Sequence, residues 1–285
     1  MTSYADPTRW GVVLCLAAVA VCAGPWEELF AAYPERGFSH DWIDSLKHLH
    51  QVSSSSTAPP PPPPLVRRTS ERLVYEAGWG FVKAGYAELT FASDSTSGRA
   101  WSSFRGVTNR FVSTFYRVHN FIQSTMHFDT MLPLFFEEHV NEGRYSARRW
   151  VLFDHDRLTA FTNQRHEEKQ ICEIRPREHD LLSMVQAVRS RQLVPRTSFT
   201  LPCFVQGTRY DVKFDVHNRE RITVEAGTFS CIVVEPHLAG EGRTFSRRDR
   251  IQIWFTDDDH RIPVRVRSRI AIGSVVGELV DYRRE

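Results

Sequence analysis

Residues 251–282 alternate apolar and polar side chains almost residue by residue. Ile262, Val264, Val266, Ile270 and Ile272 fall on one side of an extended chain, and Arg265, Arg267 and Arg269 on the other. Successive side chains of a strand point to opposite faces, so this pattern predicts a strand with one buried and one solvated face. Just upstream, Ile251, Ile253 and Phe255 alternate with Gln252, Trp254 and Thr256, and the polar run Asp257, Asp258, Asp259, His260 separates the two stretches. Together they predict a hairpin.

The same device recurs from Glu71 onward. Apolar periodicity predicts strands at 73–79, 86–91, 101–107, 120–128, 133–140, 144–153, 158–162, 199–205, 210–216 and 229–235, with a turn over 81–85. Gly143, within Asn141-Glu142-Gly143, suits the positive φ that hairpin loops require. Leu181, Met184, Val185 and Val188 share a helical face behind the N-cap candidate Asp180, and 110–116 reads as a second, shorter helix. Short strands at regular spacing indicate an antiparallel barrel or sandwich. The expected fold is therefore all-β: a wide antiparallel barrel or half-barrel, a lipocalin-like curved sheet, with one or two short helices.

Upstream the character changes. Residues 11–24 form an apolar run about 14 residues long, short of the roughly 20 needed to span a bilayer as a helix. Its length and the small residues Val21 and Ala23 suit a secretory signal cut after Ala23, the alternative being a retained anchor. Residues 24–52 read as a short amphipathic helical leader, and 53–70 as a Ser/Pro-rich spacer that cannot build a core. Residues 71–285 then form the β domain. The expected location is outside the cytoplasm, in a bacterial periplasm or cell envelope.

Charge and composition narrow the function. Formal net charge is +2 over 285 residues with no basic cluster, which argues against nucleic acid as a partner. Cys172, Cys203 and Cys231 remain after the expected cleavage. Cys203 and Cys231 alternate with apolar neighbours, so packing without a bond is favoured over a Cys203–Cys231 disulfide.

Candidate chemistry is sparse. Asp257-Asp258-Asp259-His260 carries hard-metal ligand types but reads better as a solvated turn. The histidines have no zinc spacing and read mostly as surface residues, Glu137 and Glu138 point to opposite faces, and Ser183 has no identifiable base. No metal, cofactor or catalytic residue is expected. Arg265, Arg267 and Arg269, with Trp254 on the solvated side of the preceding strand, form a cationic stripe suited to an anionic headgroup or acidic partner, or simply to a solvated face. Trp79, Phe81, Phe104, Phe111, Phe115, Tyr116, Phe121, Phe135 and Phe136 crowd the first half of the domain. Each reads as core; a many-stranded sheet can also close around an apolar pocket.

Three segments resemble a known family: LVYEAGWGFVKAGYAEL (73–89), VEAGTFSCIVVEP (224–236) and IWFTDDDHRIPVRVRSRIAIGSVVGELVDY (253–282). They are similar in order and content to the exported bacterial family called domain of unknown function 3108. Weaker agreement includes Phe115-Tyr116-Arg117-Val118 and Leu132-Pro133-Leu134. The resemblance implies an exported or envelope protein with a wide curved sheet, and it supplies no catalytic residues. The leading expectation is a non-enzymatic envelope protein whose barrel binds an apolar or lipid-like ligand. The alternatives are a module that engages another envelope protein and, more weakly supported, a hydrolase.

Overall fold

The computed structural model describes residues 70–80, 82–164, 168–205, 207–239, 250–269 and 274–285. The signal, the helical leader and all of the Ser/Pro linker except Ser70 lie outside the described residues, as do Phe81, Ile270 and Ile272.

Fourteen strands form one sheet. They are β1 (Ser70–Trp79), β2 (Val82–Asp94), β3 (Arg99–Thr108), β4 (His119–His127), β5 (Pro133–Glu142), β6 (Tyr145–Asp154), β7 (Thr159–Gln164), β8 (Glu168–Glu173), β9 (Ser198–Val205), β10 (Thr208–Val224), β11 (Gly227–Ala239), β12 (Ile251–Thr256), β13 (Pro263–Arg269) and β14 (Ser274–Arg284). Helix α1 (Arg110–Ser113) follows β3, and α2 (Leu181–Arg189) follows β8. All strand pairings are antiparallel and join sequence neighbours, except that β1 pairs with β14, which sets the two halves of the meander side by side. The sheet is thus the expected antiparallel curved barrel-like sheet with two helices.

Alternation explains the register. On β4, Asn120, Ile122, Ser124 and Met126 are buried while the residues between them are not. Phe104, Ile122 and Glu138 lie opposite one another across β3, β4 and β5 and so share the inner face. A sheet this wide encloses more space than strand side chains alone fill. Here α2 fills it. Its Leu181, Leu182, Met184 and Val188 join the core shared by both halves of the sheet.

The helix is held at both ends. Asp180 accepts from Ser183 N–H (2.7 Å), Ser183 Oγ accepts from Asp180 N–H (2.9 Å), and Ser124 Oγ of β4 donates to Asp180 (2.5 Å). Asp180 is therefore the expected N-cap, doubled into a capping box and tied to the sheet. At the other end the fully buried Arg189 pairs with Glu71 of β1 (2.6 Å) and donates to the carbonyls of His260 (3.1 Å) and Arg261 (3.0 Å).

The sheet's two edges, β8 and β9, do not form a ladder with each other. The segment after β8 links them instead: Ile174 N–H donates to Leu158 (2.9 Å), while His179 donates to Pro202 (2.9 Å) and accepts from Phe204 (2.8 Å). Among the described residues this segment makes a single parallel bridge to β9, between His179 and Cys203.

Three departures from the sequence reading have local causes. β8 was not expected, because EKQICE (168–173) shows no buried face; as an edge strand it leaves Ile171 70% exposed. The turn expected at 81–85 is tighter: Gly80 takes the positive φ, and Gly85 lies within β2. β10 continues through the polar stretch 217–221 by way of a bulge, and Ala226 N–H at its hairpin tip donates to Leu279 of β14 (3.2 Å). Gly143 behaves as expected, with φ of 59°; a Cβ there would also lie 2.9 Å from the Tyr116 ring.

Arg189→Met strands Glu71 without its cation and should cost about 3–5 kcal/mol, the usual loss when one partner of a buried pair is removed. Adding Glu71→Leu should recover part of that loss. Urea unfolding of the two variants at neutral pH measures both.

Candidate functional site

The space above α2 is not filled completely. A pocket lies between the first turns of the helix (Leu181, Leu182, Val185) and seven adjacent strands, from β4 through β1 and β14 to β12. Its bulky walls are Tyr75, Leu89, Phe104, Ile122, Ile253 and Phe255. Next to them the inner face carries small residues: Ala87 lies opposite Gly106, and Ala77 lies opposite both Gly85 and Gly277. A Cβ built on Gly277 would meet nothing within 4 Å, so the missing side chains leave real space. Glycine within a strand often marks such a site.

The cavity has a volume of about 70 Å³. Its lining is apolar apart from the Tyr75 hydroxyl, which donates to the Pro263 carbonyl (2.7 Å). Burial holds that hydroxyl well above the ordinary tyrosine range, so it stays neutral. Pockets that hold small molecules typically combine a largely hydrophobic lining with a few polar groups. Here the one lining hydroxyl donates its hydrogen to Pro263 and keeps only its oxygen as an acceptor.

The inner face becomes polar toward the β5–β6 hairpin. Arg149 pairs with Glu138 and donates to the Tyr145 hydroxyl, and Asn120 donates to Glu142 (2.6 Å). Glu137 faces the opposite side and accepts from Gln123. The two glutamates do not act together, as their adjacency on a strand implied.

The expected cationic stripe is corrected in one respect. Trp254 is only 4% exposed, although it does face away from the pocket. Arg265 and Arg267 lie over its ring at 5.7 and 5.5 Å, and its indole N–H donates to Glu220 of β10 (2.8 Å). Arg265 also pairs with Glu278 (2.7 Å). Stacking on an aromatic face suits the flat guanidinium. Two of the three arginines therefore cover a tryptophan, and Arg269 alone stands exposed.

The aspartate run is a turn: Asp258 Oδ1 accepts from Thr256 Oγ1 (2.7 Å), His260 N–H (2.9 Å) and Arg261 N–H (3.0 Å), while Asp257 pairs with Arg219 (2.5 Å). Cys203 and Cys231 are buried and free, and burial raises both thiols, Cys231 to about 12. Ser183 serves its capping box.

Two further expectations are overturned. Trp79, Phe111, Phe115 and Tyr116 are exposed rather than core, because they sit at or beyond strand ends, past the inner face. His179 is buried, since the bridge from the segment after β8 to β9 runs through it. Burial, then Arg177, His155 and Arg191, push its imidazole down to about 3. Burial likewise pushes the neighbouring Asp180 up to about 6, opposed by its hydrogen bonds from Ser124 and Ser183.

Comparison with known proteins fits this picture. The family described as "Protein of unknown function (DUF3108)" matches residues 74–280. The chain belongs to this family. The DUF3108 domain is also similar to a solved structure, the "Beta-barrel-like Protein of Domain of Unknown Function DUF1849 from Brucella abortus". The TM-score is 0.57 at 9% identity, over 77% of this chain and 99% of that one, a likeness of fold alone. A "putative lipoprotein from Parabacteroides distasonis ATCC 8503" aligns over 77% of this chain and 97% of its own at 11% identity, with a TM-score of 0.33 that supports no argument. No curated protein matches.

Sequence reasoning anticipated a cavity but not its lining. The available signal was the recurrence of Ala77, Gly85, Ala87 and Gly106 where strands ordinarily carry bulk.

Acidification should separate the two buried neighbours. The folded state keeps His179 neutral, so its contribution to stability is present above the unfolded pKa and is lost as pH falls from about 6.5 toward 3. Asp180, raised when folded, acts oppositely: its contribution is present at low pH and is lost as pH rises from about 4 through 6. Between pH 7 and pH 5, His179→Asn should lose about 2 kcal/mol less stability than the wild type, and Asp180→Asn about 1 kcal/mol more. Urea midpoints at the two pH values read the difference.

Proposed function

We propose that this domain is a non-enzymatic carrier or sensor of an apolar, lipid-like molecule held between α2 and the inner face of the sheet. The observation that carries the reading is the pocket beside Gly277, whose one lining hydroxyl is already engaged by Pro263. A site whose one side-chain donor is already engaged favours hydrocarbon, since burying an unmatched polar group costs free energy. Catalysis finds no support among the same residues. Ser183 is committed to capping α2, and Glu137 and Glu138 bond on opposite faces.

An envelope location is the companion of this reading. It rests on the apolar run 11–24 and the Ser/Pro-rich spacer after it. A module that binds a protein partner through the arginine stripe is the weaker reading, because Arg265 is already engaged by Trp254 and Glu278.

Native mass spectrometry of the protein purified from a bacterial envelope should show a co-purifying hydrophobic molecule, and repeated recovery of empty protein would count against the proposal. Gly277→Leu should project its side chain into the pocket and weaken binding of a fluorescent fatty acid by about tenfold or more. Because a Cβ at that position meets open space, the thermal midpoint should change little.

A further inference from the structure

One end of the sheet carries an unusual surface. There the β1–β2 hairpin exposes Trp79 and Val82, and the segment around α1 exposes Phe111, Phe115 and Tyr116, Phe115 to 77%. The two lie side by side, since Asn109 N–H donates to the Ala84 carbonyl at the start of β2 (3.4 Å). Tyr116 also rests on Gly143 of the β5–β6 hairpin, where Tyr145 is exposed as well. Phe111 and Phe115 stack edge to face at 5.6 Å, away from the core. Exposed apolar groups gathered at one place on a soluble fold mark an interaction site.

Positive charges predominate there. Lys83, Arg110, Arg117 and Arg144 are exposed around these aromatics. Among the nearby carboxylates of the described residues, Glu76 engages Lys83 (2.8 Å) and Glu142 is held by Asn120 (2.6 Å), while Glu225 at the β10–β11 hairpin is exposed beside Lys83. Amphipathic aromatic rings with flanking Arg and Lys are the side chains that settle at a lipid interface, the rings at headgroup depth and the cations on anionic headgroups. Among the described residues no helix is long and apolar enough to cross a membrane.

We propose that this end docks the domain onto an anionic lipid surface, with Phe111 and Phe115 entering the headgroup region and Arg110 and Arg144 pairing with lipid phosphates. The inference stands independently of what the pocket holds. Val275 of the pocket lies opposite Trp79, so docking would also bring the pocket's near end toward the lipid.

Co-sedimentation of the full chain with vesicles tests it, using phosphatidylglycerol/phosphatidylethanolamine against phosphatidylcholine alone. The apolar run 11–24 is common to every variant, so the comparison between variants isolates the aromatic end. Phe111→Ser/Phe115→Ser should weaken binding to the anionic vesicles at least tenfold without changing the circular dichroism spectrum. Arg110→Glu/Arg144→Glu should reduce it similarly, and the wild-type advantage on anionic vesicles should shrink as salt is raised. Equal binding by wild type and both variants, or equal binding to the two vesicle types, overturns the proposal. So does a vesicle-free self-association that the serine variant abolishes, which would assign the same surface to a second copy of the chain.

Discussion

The Arg189–Glu71 pair is the constraint on which the rest of the structure depends. A curved sheet of fourteen strands has no intrinsic reason to hold a single helix in one place against its inner face. Arg189 supplies it: the guanidinium lies wholly inside, paired with β1 and donating to two carbonyls of the β12–β13 connection. Burying a charge so far from water is costly, and a close-packed apolar residue could stabilise the core as well or better. What the pair adds is position. It ties the C-terminal end of α2 to the strands that bring the two halves of the meander together, while Asp180 and Ser124 fix the other end. The pocket is the space left above a floor fixed at both ends.

That arrangement divides the inner face into regions with different work. Bulky residues surround α2 and form the core with Leu181, Leu182, Met184 and Val188. Beside them, alanine and glycine leave the pocket open. Toward the β5–β6 hairpin the same face is polar, with Glu138, Arg149, Asn120 and Glu142 satisfying one another. The pocket's one lining hydroxyl already donates to Pro263.

Much of this was legible in the sequence, and the failures share a cause. Strands with one buried face announced themselves by alternation, and α2 by its apolar stripe behind Asp180. Residues whose surroundings come from distant segments did not. Arg189 reads as a basic residue in a helix's last turn, where the dipole favours it, and only the tertiary fold turns it inward. Trp254 has the correct face but not the correct exposure, because its cover comes from Arg265, Arg267 and Glu220, two of them one strand away and the third on β10. Phe111 and Phe115 fail in the other direction: composition counts them as core, but a four-residue helix past the end of β3 has no inner face to offer them. For the pocket, the letters gave the glycines but not their alignment, which depends on register across four strands.

Incomplete closure leaves two strand edges to be managed, since unpaired backbone groups invite another chain to add itself. They are managed differently. β9 is partly covered by the segment carrying His179, whose N–H and C=O satisfy groups of Pro202 and Phe204. β8 is short, and its exposed Glu173 adds a charge that discourages pairing. The first solution buries a histidine and an aspartate side by side, each with its pKa displaced from the ordinary value. A full ladder between β8 and β9 would avoid that burial. It would also displace the connection that delivers α2 to the interior, and with it the floor of the pocket.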